Sequence, residues 1–249
     1  MSTRASTELT LHVALFSHVA CRPESELDLG QAALLIAEPE YDDLDVGVYL
    51  RTLDRLADQV GPRLSRLDDA AAKASALLGF LLDEEGFRGN LTEYEDPRNS
   101  FLNEVLERRL GIPISLSVLA MEVARRCDFP LHGVSFPGHF LLRVERSLGP
   151  KGSGEPVLLD PVDGQTLAGE DLQGILFRSL GRRRTVTPED LQVATKNAIL
   201  IRMLSNLRNI YNRLGDTSRQ QLAHERIRAL QNAAQKPPPR PGKNARVVH

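Results

Sequence analysis

Residues 94 to 142 constrain this chain more than any other stretch. Asp96-Pro97 opens a helix, because aspartate caps free amides and proline fits a first turn. Phe101, Leu102, Val105, Leu106 and Leu110 then recur at helical spacing until Gly111. After Gly111-Ile112-Pro113 a second helix runs from about Ser115 to Arg126, with Leu116, Leu119, Ala120, Val123 and Cys127 as its apolar stripe. A strand bearing His139 follows, and a further strand ends in Asp160-Pro161. A helix start, a histidine and an aspartate in that order make a candidate catalytic or binding constellation.

Composition narrows the alternatives. The chain has 249 residues, 41% of them hydrophobic, and a formal net charge of −2. That supports a buried core and offers no field suited to nucleic acid or anionic membrane. No apolar run approaches the roughly 20 residues of a membrane span. His12, Ser17 and His18 interrupt Leu11 to Ala20, and Arg4 is the one positive charge upstream, so this segment reads as a buried helix rather than a signal sequence. Cys21 and Cys127 stand apart, form no metal pair and suit reduced thiols in a cytoplasmic protein.

Helices are expected at Leu11 to Cys21, Leu29 to Ala37, Leu44 to Val60 (ended by Gly61-Pro62) and Asp69 to Asp83. Strands are expected at Leu131 to Ser135, Phe140 to Val144 and Val157 to Leu159, the last two joined across Gly149 to Pro156. Helices return at Leu172 to Leu180 and Pro188 to Asn212. The fold class is therefore α+β. Residues 1–10 read as a frayed start, 11–181 as the main domain, 185–235 as C-terminal helices, and 236–249, rich in proline and basic residues, as a disordered tail.

Gly86-Phe87-Arg88-Gly89-Asn90, Asp96-Pro97-Arg98-Asn99-Ser100, Asn103-Glu104-Val105-Leu106, Gly111-Ile112-Pro113-Ile114-Ser115 and Pro137-Gly138-His139-Phe140 carry a resemblance. So do Asp28-Leu29, Tyr41, Tyr49-Leu50 and Leu53-Asp54 upstream. Over residues 11 to 212 the chain resembles the SirB-one family of transglutaminase-like proteins, which also occurs as a module in some F-box proteins. The resemblance implies a papain-type core, a helix on an antiparallel sheet, with extra helices ahead of it. It also implies tetratricopeptide-like C-terminal helices, in which Met203 to Tyr211 and Leu214-Gly215-Asp216 match the first part of a repeat.

Active members of that superfamily carry a cysteine at the helix start, its thiolate stabilised by the helix end and a neighbouring imidazolium. Here Ser115, and at greater distance Ser117, occupies the place. Cys127 lies about 18 Å along the helix and is no substitute. Two readings stand. In one, Asp160 orients His139, which takes the proton of Ser115 for acyl chemistry. In the other, Ser115 caps the helix, and Arg98, Asn99, Glu104, His139 and Asp160 line a former active groove that binds a peptide or protein partner in a regulatory role. The second is the leading expectation.

No metal or cofactor is expected. The histidines are scattered, the cysteines are isolated, and Gly149 to Gly154 lacks the strand-to-helix setting of a phosphate loop. Arg182-Arg183-Arg184 reads as a solvated basic patch, with no nucleic acid or membrane partner expected. Oligomeric state is open.

Overall fold

The computed structural model describes residues 2–90, 92–145 and 155–235. Helix α1 (Ser2–Ala20) begins within the stretch expected to fray. Helix α2 (Leu29–Leu34) starts where the Asp28 side chain accepts the Gln31 amide, and α3 (Val46–Leu64) where Asp45 accepts those of Gly47 and Val48. Helix α3 does not stop at Gly61-Pro62; it runs one turn further and buries Leu64. Helix α4 (Ala70–Gly79) continues into a π-turn, Phe80–Glu84.

The helix expected from Asp96 to Leu110 is broken. Pro97–Ser100 is a single 3-10 turn, Phe101 is extended, and α5 (Leu102–Arg108) follows. Arg109, at φ 59°, ends it in the left-handed region that Gly111 was expected to supply. That conformation is held from outside: Arg109 pairs with Glu85 at 3.1 Å and stacks over Phe87, and its carbonyl accepts the Arg88 amide. The short strands β1 (Arg88–Gly89) and β2 (Leu110–Gly111) thereby lie side by side in parallel. Gly111 is needed for a different reason, since a Cβ there would meet the Ser115 Oγ at 2.8 Å.

Helix α6 (Pro113–Arg126) is buried on most of its surface, and Pro113 begins it two residues ahead of Ser115. It packs on an antiparallel sheet of β3 (His132–Val134), β4 (Leu141–Val144), β5 (Val157–Leu159) and β6 (Thr166–Leu167), paired in that order. Helix α7 (Gly169–Leu180) covers the other face. The C-terminal helix expected from Pro188 splits. A 3-10 turn at Pro188–Leu191 leads into an extended stretch, where Val193 bridges Val134 and Ala194 donates to the Gly133 carbonyl. Only then does α8 (Lys196–Leu214) start, capped by Thr195, with Gly215 (φ 72°) turning the chain into α9 (Thr217–Ala234).

Side-chain alternation sorts the sheet into two surfaces. Phe140, Leu142, Val144, Val157 and Leu159 join α6 and the other helices in the main core. Val134, Leu141 and Leu158 instead pack with Leu172 and Leu176 of α7 in a smaller core. Helices α8 and α9 contribute Leu204, Leu207, Ile227 and Leu230 to the main core, so they are part of it and not an appendage. Among the described residues no helix is long and apolar enough to cross a membrane. The expected tail, 236–249, lies outside the described residues.

Candidate functional site

The turn at Pro137-Gly138 delivers His139 to the head of β4, and Asp160 directly follows the end of β5. Because β4 and β5 run antiparallel with Leu142 opposite Leu159, the two polar residues meet beyond the last rung. His139 Nε2 lies 2.8 Å from Asp160 Oδ2. The other carboxylate oxygen of Asp160 accepts the Val162 amide at 2.8 Å, which locks its rotamer. With Nε2 engaged, Nδ1 is the ring nitrogen left to act on a ligand. Both side chains are partly exposed, 19% and 16%, to a cavity of about 660 Å³ walled by Gly174, Ile175, Arg178 and Ser179 of α7 and closed by Asp163 and Gln165.

Ser115 sits elsewhere. It is fully buried, its hydroxyl lies 2.6 Å from the Asn99 carbonyl and accepts the Ile112 amide at 3.0 Å, and it does not line the His139 cavity. The sheet accounts for the separation, since α6 packs on one face while the cavity opens towards α7 on the other. Ser117 is also fully buried, with its hydroxyl unpaired. Cys127 sits at the far end of α6, its Sγ 3.6 Å from the Ala57 carbonyl, and burial pushes its thiol up. A raised pKa works against thiolate chemistry at neutral pH.

The other expected groove residues are likewise engaged in holding the fold, and none of them lines this cavity. Asn99 is fully buried, receiving the Asn90 amide on Oδ1 at 3.1 Å and giving its own to the Glu93 carbonyl at 2.7 Å. Glu104 accepts the Tyr41 hydroxyl at 2.9 Å, and burial with that contact pushes the phenol well above its ordinary range. Arg98 reaches Asp96 at 2.8 Å. Partial burial tends to raise the Asp96 carboxyl, but the Arg98 hydrogen bonds and the nearby Arg108 outweigh it and hold the carboxyl below its usual value. Through Asn90 and Asn99, the Gly-Asn and Asp-Pro-Arg-Asn motifs brace the start of α6.

Sequence reasoning did not single out Asp163, Gln165, Glu170, Arg178 or Ser179. Glu170, Arg178 and Ser179 reach the cavity through the docking of α7, which no local motif records, while Asp163 and Gln165 come from the turn between β5 and β6. Gly138 was the one available signal. Its φ of 75° and the approach of Ser179, whose Oγ stands 2.1 Å from where a Cβ would be, leave room for nothing larger. Among the described residues no group of three His, Cys, Asp or Glu side chains is placed to hold a metal ion.

Residues 48–205 match the family model described as Transglutaminase-like superfamily. The chain belongs to the transglutaminase-like superfamily. It is 38% identical over 208 residues to a UPF0162 protein of Xylella fastidiosa, covering 81% of this chain and 71% of that one. A UPF0162 protein of Pseudomonas aeruginosa is 36% identical over 198 residues, covering 79% of this chain and 69% of the relative. Mouse F-box only protein 21 is 49% identical over 63 residues, which are 25% of this chain and 10% of that protein. No solved structure matches the chain. Within this transglutaminase-like protein, the helix-on-sheet core carries a histidine–carboxylate pair with no thiol among the residues lining its cavity.

Proposed function

We propose that this is a transglutaminase-like protein without the superfamily's nucleophile, a pseudoenzyme of the SirB-one kind. In this reading the cavity beside His139 and Asp160 holds a segment of a partner protein in a regulatory role. One observation carries it: the Ser115 hydroxyl is buried in main-chain hydrogen bonds on the α6 side of the sheet, while the imidazole works on the α7 side. A serine needs its base within hydrogen-bond reach. With no such partner, the histidine–aspartate pair is a polar recognition element, and Nδ1 is free to give or accept a hydrogen bond. The C-terminal pair α8 and α9, tetratricopeptide-like in sequence, serves in this proposal to complete the core, because its apolar faces are already covered.

The opposing reading is a serine hydrolase or acyltransferase built on Ser115, His139 and Asp160, and a fluorophosphonate probe decides between them. The expected result is no adduct at Ser115 by mass spectrometry. Stoichiometric labelling of Ser115, abolished by His139→Ala, overturns the proposal. For the binding half, a photo-crosslinking residue at Gln165, which is exposed at the cavity, is expected to give a discrete protein adduct in cells that His139→Ala diminishes. Loss of no adduct in that variant counts against the site.

A further inference from the structure

The His139 cavity does not end at α7. It shares Glu170 and Gly174 with a second cavity of about 690 Å³ on the far side of that helix, where Phe177 is 51% exposed beside Arg183. Gly174 has no side chain of its own where the two hollows meet, and the Arg178 guanidinium reaches to 3.4 Å from where a Cβ would stand. The pair forms a trough across the helix, with Phe177 at its far end between Arg183 and the Asp190-paired Arg184.

Charge along the trough is uneven. Some acids elsewhere are paired with arginine, Glu40 with Arg219, Glu84 with Arg63, Asp96 with Arg98 and Asp190 with Arg184, while others, such as the exposed Asp42 and Asp43, are not. Asp163, Glu170 and Asp171 line the His139 side and have no ion-pair partner among the described residues. Arg178 is the one arginine or lysine lining that cavity. A concave wall with uncompensated carboxylates concentrates a negative potential in the hollow and raises the local concentration of cations. The side chains of Asp163 and Asp171 accept the Gln165 and Ala168 amides, which holds both carboxylates in place at the cavity.

We infer that the trough takes an extended basic segment of a partner protein. A lysine or arginine side chain enters the His139 cavity, and the segment crosses α7 at Gly174 towards Phe177. The inference rests on the proposed reading of the cavity as a binding site and adds the chemistry of what binds.

The test titrates the full chain, isotopically labelled at histidine, with short fluorescent peptides: oligolysine, oligoglutamate and a neutral glycine-serine control. Anisotropy reads affinity, and the His139 ring resonances report the place. Oligolysine is expected to bind and move His139. The double variant Asp163→Asn/Glu170→Gln should weaken it about tenfold, as expected when a focused field is removed. Gly174→Gln should weaken it too, by filling the crossing, with unchanged melting temperature. Asp42→Asn/Asp43→Asn, exposed acids outside the trough, should leave it unaltered. Equal weakening by the Asp42/Asp43 pair reduces the effect to overall charge and overturns the inference. If oligoglutamate or the neutral peptide moves His139 and oligolysine does not, the basic-segment inference falls while the cavity keeps its binding role. If no peptide moves His139, both fall.

Discussion

Ser115 and Asn99 are joined through a hydroxyl and a main-chain carbonyl 2.6 Å apart, with both residues fully buried. This bond ties the first turn of α6 to the 3-10 turn before α5, and the same hydroxyl oxygen takes the Ile112 amide. It explains why serine suits the position without any call on catalysis: the groups it satisfies have no access to water.

Ser115→Ala should therefore lower stability by about 1–3 kcal/mol, the cost of leaving a buried donor and acceptor unmatched. Urea unfolding measures this. The His139 ring resonances should not move in the variant, because the sheet lies between. An unchanged unfolding midpoint would remove the structural role assigned to the hydroxyl.

Arg226 of α9 is 2% exposed and donates to the carbonyls of Leu35, Ile36 and His12 while stacking over Phe16. It closes the end of α2 from a residue nearly two hundred positions away. Arg226→Met should cost about 3 kcal/mol, from orphaned carbonyls and a Glu38 left with His12 alone. Arg226→Lys should recover little, since an ammonium cannot match the fork. Hydrogen exchange should show α9 and the α2 terminus loosening together; exchange confined to α9 would contradict the coupling.

Gly138→Ala should be among the most damaging changes near the cavity. Its φ of 75° strains any side chain, and the new Cβ would press on the Ser179 Oγ at 2.1 Å and Cβ at 2.3 Å. A loss of about 2 kcal/mol is expected from strain and overpacking. Adding Ser179→Gly should recover the overpacking share but not the backbone share. Simple additivity of the two in a double-mutant cycle would mean they do not touch.

Acid should loosen the segment after α7. Asp190 bonds Arg184, and this pairing with the Thr187 amide holds its carboxyl down at about 2, against an ordinary 3.8. The folded carboxylate is the weaker proton binder, so the unfolded chain takes up more protons across that window. Stability from this group is present above pH 3.8 and drains away as pH falls towards 2. Asp190→Asn should flatten the slope of stability against pH there and leave it unaltered at higher pH.

The same residues show how far local reading reaches. The helix starts at Leu29 and Asp69 were legible to within a residue because a capping aspartate acts over three residues, and the apolar periods of α3 and α6 marked their buried faces. The Asp96–Leu110 helix was misread because its break depends on Asn90, Glu93 and Ser115, partners from other parts of the chain, which override the continuous helical pattern. Arg109 adopts a backbone shape that glycine favours for the same reason.

Chain order alone determined the class of fold, the order of its helices and strands, and the convergence of His139 with Asp160 at adjacent strand ends. Those features follow from hydrophobic period, turn residues and antiparallel register, all short-range quantities. Which face of the sheet the pair looks out from, and that α7 rather than α6 walls the cavity, was decided by packing. A one-residue alternation sends neighbouring side chains to opposite faces, and only the docking of whole helices says what waits on each side.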